Sequence, residues 1–132
     1  MSENPLIAVI DDDASIRGAL QRLLRSVGLR TAAFASAEEF LQAGQLQDTA
    51  CVIVDVRMPR MSGLELQRHL ATIQCPVPLI LITAHGDEEA RTRALRAGAV
   101  DFLYKPFSEE VLLRAIQAAL QASWDSGVGT SC

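Results

Sequence analysis

Polar residues able to do chemistry directly follow four of the apolar runs in this sequence. They are carboxylates, a hydroxyl and an ammonium, at Asp11, Asp12, Asp55, Thr83 and Lys105. If the runs are parallel strands, their carboxyl ends meet at one edge of a sheet, where ligands bind in open α/β folds. Carboxylate oxygens suit a hard divalent cation, and a hydroxyl and an ammonium suit phosphoryl oxygens. The pattern predicts a site for both.

Apolar runs alternate with segments of helical periodicity five times along the chain. The runs predict strands at Leu6–Ile10, 31–34, 51–54, 79–82 and 100–104. This alternation predicts an α/β fold, a doubly wound five-stranded parallel sheet with helices on both faces. Segments 51–54 and 79–82 are apolar throughout, as central parallel strands are, whereas 31–34 is weaker and should lie at an edge.

Three helix starts have recognisable capping residues. Ser36 and Ser62 are each followed three residues later by a glutamate, Glu39 and Glu65, which is the capping-box pattern. Asp13 is placed to cap the helix after the first strand. A single aspartate after a strand is more often such a cap than a chemical group, so the other aspartates gain meaning only in combination.

Asp55 is the aspartate least well explained as a helix cap, because it ends a run expected to be central and buried. Ionised carboxylates are rarely buried without a partner, and three in one pocket repel one another. Lys105 would offset one charge, and Mg²⁺ would offset two more. Asp55 could then attack a phosphoryl donor, because carboxylates form acyl-phosphate intermediates. Thr83 could donate its hydroxyl to a phosphoryl oxygen.

Composition narrows the classes of function. The chain has 132 residues and a net charge of −4, which fits one domain and gives no basic face for nucleic acid.

The cysteines, Cys51, Cys75 and Cys132, are odd in number and fit no zinc pattern, so we expect reduced thiols. The N-terminus lacks a secretory signal pattern, and no apolar run is long enough for a membrane span. We therefore expect a cytoplasmic protein without membrane contact.

The composition changes near the C-terminus. From Gln121 onward the residues are mostly small and polar and cannot build a core. We expect one domain over residues 1–121 and a polar tail over 122–132. This tail is either the start of an interdomain linker or a frayed end.

Four segments of the sequence together resemble a known family. They are Val-Ile-Asp-Asp-Asp at 9–13, Val-Asp-Val-Arg-Met-Pro-Arg-Met-Ser-Gly at 54–63, Leu-Ile-Thr-Ala at 81–84 and Lys-Pro-Phe at 105–107. In these segments the chain resembles the receiver domain of bacterial two-component response regulators. The stretches 55–66 and 99–103 are most similar to the FixJ-type subgroup. The resemblance implies a flavodoxin-like sheet of strand order 2-1-3-4-5.

The resemblance also implies roles for the residues of the acidic site. Asp55 would be the phosphoacceptor, phosphorylated by a sensor histidine kinase. Asp12, Asp55 and the backbone carbonyl of Arg57 would bind Mg²⁺ directly, and Asp11 would act through a metal-bound water. Mn²⁺ could substitute for Mg²⁺. Lys105 would contact the phosphoryl oxygens.

Further positions take roles in switching. The Lys105–Pro106 bond is a candidate cis peptide. Thr83 would move toward the phosphoryl group, and Phe102 could then swing inward beside the fifth strand. His85, two residues after Thr83, would affect hydrolytic water, although a solvent-exposed loop histidine is an equal alternative. Tyr104 departs from the acidic residue that the FixJ-type subgroup has there.

The predicted function is a phosphorylation-activated switch that changes its helix 4–strand 5 surface. It would act on a transcriptional output domain missing from this chain and contact DNA only through it. The resemblance also implies a homodimer formed on phosphorylation. Catalysis would be limited to the chain's own phosphorylation and dephosphorylation.

Three alternatives remain at this point. One is a stand-alone receiver that acts as a phosphorelay shuttle or by protein–protein contact. Another is a Mg²⁺-dependent aspartyl-phosphate phosphotransferase or phosphatase, but Arg57 stands where such enzymes usually carry a second carboxylate. The third, a nucleotide- or flavin-binding protein, would need a glycine-rich first loop, and the sequence has Asp11, Asp12 and Asp13 there.

Overall fold

The computed structural model describes residues 4–84 and 88–125, with side chains up to residue 122. Five strands and five helices alternate along it. The strands are β1 (Leu6–Ile10), β2 (Arg30–Phe34), β3 (Thr49–Asp55), β4 (Leu79–Thr83) and β5 (Asp101–Tyr104). The helices are α1 (Ala14–Ser26), α2 (Ala37–Gln42), α3 (Gly63–Thr72), α4 (Glu88–Arg96) and α5 (Glu109–Asp125).

The strands form one parallel sheet of order β2-β1-β3-β4-β5. This confirms the predicted fold class and strand order. The order reverses between β1 and β3, so the connections on the two sides of this point pass over opposite faces of the sheet. Strands β1, β3 and β4 are buried almost throughout, whereas β2 is partly exposed at the edge, as predicted.

Two apolar clusters lie on the two faces of the sheet. On one face, strand residues such as Ile53 and Ile82 pack against α1 and α5, through side chains such as Leu24 and Ile116. On the other face, strand residues pack against α2, α3 and α4, through Phe40, Leu66, Leu70, Ala90 and Ala94. Helices therefore cover both faces, and the sheet edge at the strands' carboxyl ends carries the polar residues.

The predicted helix caps are confirmed with one difference. Asp13 Oδ1 accepts hydrogen bonds from the backbone N–H groups of Ser15 and Ile16, and Ser62 and Glu65 form a complete capping box. Ser36 accepts from the Glu39 N–H, but Glu39 Oε1 accepts from the Ala35 N–H at 2.7 Å instead of closing the box on Ser36.

Several segments differ from their predicted limits. β3 begins at Thr49 and includes Asp55, and a short 3₁₀ helix at Leu46–Asp48 precedes it. α5 continues to Asp125, so the first four residues of the predicted tail are helical; residues 126–132 lie outside the described part. Within the described part, no helix has both the length and the apolar character that crossing a membrane requires.

The expectation of reduced thiols is correct for one cysteine and wrong for another. Cys51 is a free, fully buried thiol in β3, and burial raises its pKa to about 12, so it stays protonated at neutral pH. Cys75 is disulfide-bonded. Sequence spacing alone could not reveal this, because disulfide formation depends on the distance and direction of the two Cβ atoms. Cys132 lies outside the described residues.

Candidate functional site

The fold brings the predicted site residues together at the carboxyl edge of the sheet. Asp11 directly follows β1, Asp55 and Thr83 end β3 and β4, and Lys105 follows β5. Asp11 and Thr83 are fully buried, and Asp55 is only 6% exposed. These polar groups therefore sit at the edge of the core, where each needs a partner.

Lys105 connects the two buried carboxylates. Its Nζ lies 2.9 Å from Asp55 Oδ2 and 3.1 Å from Asp11 Oδ2. Burial lowers the pKa of Lys105, but hydrogen bonds to Asp55 and Asp11, together with their charges, outweigh this and raise the pKa above its usual value. Lys105 is therefore a fixed cation between two acids across the physiological pH range.

The second oxygens of these carboxylates accept hydrogen bonds from the backbone. Asp11 Oδ1 accepts from the Asp13 N–H at 2.9 Å, and Asp55 Oδ1 accepts from the Arg57 N–H at 2.9 Å. Both side chains are thus held in one orientation by a residue two positions further along the chain. This local closure is the Asx-turn geometry that aspartate favours after a strand.

Asp12 completes a cluster of three carboxylates. One oxygen from each of Asp11, Asp12 and Asp55 can be chosen so that all lie within 4.8 Å of one another, with Asp12 exposed to solvent. Burial raises the pKa of Asp11, and the charge of Asp55 adds to this, against hydrogen bonds from Asp13 and Lys105 that lower it. Lys105 carries one positive charge against these three carboxyl groups. An all-oxygen cluster with surplus negative charge fits Mg²⁺.

Two residues that sequence reasoning missed support this edge. Arg17 on α1 donates from Nη1 to the backbone oxygen of Asp11 at 2.7 Å. Gly63 begins α3 where a Cβ atom would lie 2.6 Å from the backbone oxygen of Asp55. A glycine directly after the capping Ser62 is visible in the sequence and could have indicated a close approach. The reason for it is a tertiary contact, because α3 begins against the end of β3.

The predicted switch residues lie next to the acidic site. Thr83 pairs with Tyr104 across β4 and β5, and its backbone oxygen accepts from the Lys105 N–H at 2.7 Å. Phe102 is 3% exposed, so it already lies inside, with its ring edge against Tyr104 at 5.5 Å between centroids. The Lys105–Pro106 peptide is cis, as the resemblance implied. His85 lies outside the described residues.

The predicted ligand role of Arg57 rests on its place in the chain. Arg57 follows Asp55 by two residues, its side chain is exposed, and its N–H group contacts Asp55. The structure thus brings Asp11, Asp12, Asp55 and Lys105 together and places Arg57 beside them. The roles assigned to these residues remain predictions.

A parallel sheet with buried acids joined by a lysine at its carboxyl edge defines a class of α/β protein. The family profile described as "Response regulator receiver domain" matches residues 7–117. The chain belongs to this family, whose members are signalling switches.

Individual relatives agree with this assignment. The chain is 46% identical over 120 residues to nodulation protein W of Bradyrhizobium diazoefficiens, covering 91% of this chain and 53% of that protein. It is 41% identical over 127 residues to the transcriptional regulatory protein FixJ of Azorhizobium caulinodans, covering 96% and 60%. The chain therefore spans between half and two thirds of the length of these curated relatives.

A solved structure agrees as well. The crystal structure named FixJ-N superposes with a TM-score of 0.83 at 35% sequence identity, covering 92% of this chain and 98% of that one. The similarity to the FixJ-type subgroup therefore holds at the level of both sequence and fold.

Proposed function

We propose that this chain is a phosphorylation-activated switch with Asp55 as its phosphoacceptor. One observation carries the proposal: Lys105 Nζ contacts both Asp55 Oδ2 and Asp11 Oδ2, at 2.9 and 3.1 Å, where the oxygens of Asp11, Asp12 and Asp55 converge. This arrangement supplies a carboxylate nucleophile and a fixed positive charge at one point. Membership of the receiver family supports it.

The chemistry follows from these groups. A carboxylate oxygen of Asp55 bonds to phosphorus while the bond from phosphorus to the imidazole nitrogen of a phosphohistidine breaks, and that nitrogen keeps the electron pair. Lys105 is placed to contact a phosphoryl oxygen and stabilise its charge. Thr83 is fully buried, and its backbone oxygen accepts a hydrogen bond from the Lys105 N–H, so its hydroxyl is the candidate donor to a second phosphoryl oxygen. The donor would be a sensor histidine kinase.

The residues that would hold Mg²⁺ are Asp12, Asp55 and the backbone carbonyl of Arg57, with Asp11 acting through a water. When bound, Mg²⁺ or Mn²⁺ supplies positive charge that offsets the carboxylates and the phosphoryl oxygens. Asp12 is the exposed member of the cluster, so it can exchange water for the ion without rearrangement of the core.

The proposed output is transcriptional. The FixJ of Azorhizobium caulinodans is named a transcriptional regulatory protein, and the present chain covers 60% of it. We propose that residues 1–121 are the receiver and that the segment after α5 begins a linker to a DNA-binding domain.

The proposed setting is cytoplasmic, and the chain catalyses only its own phosphorylation and dephosphorylation. The exposed arginine at position 57, in place of a second carboxylate, supports the last point.

The decisive experiment is intact-protein mass spectrometry after incubation with acetyl phosphate and Mg²⁺. We expect one added phosphoryl mass in the wild type, and none in Asp55→Asn or without Mg²⁺. Asp48→Asn is the matched control, because Asp48 is an exposed aspartate before β3, at the opposite edge of the sheet. Equal labelling of the wild type and Asp55→Asn would refute the acceptor. No labelling, with no binding of beryllofluoride either, would refute the phosphorylation switch.

We further propose that phosphorylation creates a homodimer through the surface of α4 and β5. Phe102 is buried in β5 and Thr83 ends the neighbouring β4, so a change in their packing would alter the shape of this surface. The expected result is a doubled mass in light scattering after treatment with beryllofluoride and Mg²⁺. An unchanged mass in a sample shown to have bound beryllofluoride would contradict the proposal.

A further inference from the structure

Helix α4 is held to the rest of the molecule by small side chains. Its buried residues are Ala90 and Ala94, and its larger apolar residue, Leu95, is only partly buried. The two alanines, not the larger Leu95, are the buried apolar residues of the helix. Because the stabilisation from burial scales with apolar area, two methyl groups hold a helix weakly. Polar contacts therefore weigh more for the position of α4 than for that of the other helices.

Side-chain hydrogen bonds join α4 to its neighbours at both ends, and the two ends differ. In the last turn, Gln67 on α3 donates from Nε2 to the backbone oxygen of Ala94 at 3.0 Å, and this bond is buried. At the first residue, Glu88 Oε2 accepts a hydrogen bond from Tyr104 Oη at 3.1 Å, and this bond is exposed. Exposed bonds exchange readily with water. Of these two described bonds, the one at the first turn of α4 is therefore the more readily broken.

The exposed bond is directly connected to the proposed phosphorylation site. Tyr104 immediately precedes Lys105 and lies opposite Thr83 in the register of β4 and β5. Its ring contacts the ring of Phe102, edge to face at 5.5 Å between centroids. A movement of Thr83 or Phe102 therefore reaches Tyr104 without an intervening residue, and Tyr104 passes it to Glu88.

We propose that Tyr104 is a positioning residue that holds the first turn of α4 through Glu88 and so stabilises the packing with Phe102 inside. The proposal rests on the proposed function and on the expectation, implied by the resemblance, that Phe102 lies inward in the phosphorylated form. In the structure the Tyr104–Glu88 hydrogen bond is formed and Phe102 is only 3% exposed, so the two features occur together. A ligand that prefers this packing binds more tightly when the bond is present, because the binding-competent state is then more populated.

The test uses beryllofluoride, a phosphoryl analogue, at fixed Mg²⁺, with its dissociation constant measured by isothermal titration calorimetry. Tyr104→Phe keeps the ring and removes only the hydroxyl. We expect it to weaken binding by about threefold to tenfold, the range that one hydrogen bond supplies. Glu88→Ala should weaken binding by the same factor, and the double variant should be no weaker than either single one.

Two further variants separate this role from a general effect on α4. Glu89→Ala removes the neighbouring exposed acid from the same first turn and should leave affinity unchanged. Glu88→Gln keeps an acceptor oxygen and should retain most of the affinity. The melting temperature without beryllofluoride should be alike in all variants, because the affected groups are at the surface.

The outcomes separate a failure of the positioning role from a failure of the proposed function. If the wild type binds beryllofluoride and Tyr104→Phe binds equally well, the positioning role is refuted and the proposed function stands. Additive effects of Tyr104→Phe and Glu88→Ala, or an equal loss in Glu89→Ala, would also refute it. If the wild type does not bind beryllofluoride at all, the proposed function fails and the inference fails with it.

Discussion

Asp11 carries the main electrostatic conflict at the residue scale. It is fully buried, close to Asp55, and hydrogen-bonded to Lys105 and the Asp13 N–H. Burial raises its pKa, and the charge of Asp55 acts in the same direction. These effects outweigh Lys105, so ionising Asp11 costs more free energy in the folded chain than in the unfolded chain. A site used for function commonly contains such groups, since its residues are placed for chemistry at the expense of stability.

This conflict predicts the pH dependence of stability without metal. The pKa of Asp11 in the folded state is raised above 3.8, so the folded chain holds this proton to higher pH than the unfolded chain. The contribution of Asp11 to stability is therefore lost as the pH rises through its folded pKa. We expect the free energy of unfolding of the wild type, relative to Asp11→Asn, to fall as pH increases above about 4.

The measurement is urea unfolding of both proteins in EDTA between pH 4 and pH 8. The free energy of unfolding of Asp11→Asn is subtracted from that of the wild type at each pH. This subtraction removes the contributions of carboxylates that titrate alike in the two proteins. Saturating Mg²⁺ should reduce the slope, because the cation stabilises the ionised acid. A difference that is constant or rises with pH in EDTA would show that the pKa of Asp11 is not raised.

At the scale of elements, the junction of β3 with α3 positions the phosphoacceptor. The Gly63 N–H donates to the backbone oxygen of Val56 at 3.0 Å, and Ser62 and Glu65 close the capping box beside it. The helix thereby begins against the end of the strand that carries Asp55. Only a residue without Cβ fits there, because a Cβ atom would lie 2.6 Å from the Asp55 oxygen.

Gly63→Ala should consequently destabilise the protein, by about 1–3 kcal/mol, as overpacking does. Gly18→Ala is the matched control, since Gly18 lies inside α1 and its added Cβ would meet only the flexible end of Arg22 at 3.4 Å. This second change should stabilise the protein by roughly 0.5–1 kcal/mol, because alanine favours helices. Denaturant unfolding measures both, and a loss of the same size in the two variants would contradict the close-approach argument.

At the scale of the whole molecule, the acidic edge links metal binding to folding. Residues 11, 12 and 55 come together only when β1 and β3 pair, so the unfolded chain has no such site. An ion that binds the folded chain alone raises its stability by mass action. At a free Mg²⁺ concentration ten times its dissociation constant, the free energy of unfolding should rise by about 1.4 kcal/mol.

Thermal unfolding with and without Mg²⁺ tests this link. The melting temperature of the wild type should rise with Mg²⁺ concentration, and Asp12→Ala should abolish the rise. Asp48→Asn, which removes an equal charge from the opposite edge of the sheet, should preserve it. If Asp12→Ala shows the wild-type shift, the ion binds elsewhere.

Much of the fold and of the candidate site could be predicted from the sequence, because those features depend on local patterns. Strands that are buried on both faces are apolar throughout, and polar residues mark where they end. Helix caps such as Asp13 and Ser62 act over two or three residues and are visible in the sequence alone. The meeting of Asp11, Asp55 and Lys105 could be predicted because parallel strands bring their carboxyl ends to one edge, whereas the roles of these residues stay predictions.

Tertiary structure decided the contacts between distant residues. Lys105 meets Asp11 and Asp55 across 94 and 50 positions of the chain, and Tyr104 meets Glu88 across 16. Packing between elements also decides the buried position of Phe102 and the steric demand for glycine at position 63. No local periodicity carries this information, because these distances are set by how the helices and the sheet pack together. The sequence by itself determined which groups are available, and the packing determined which of them touch.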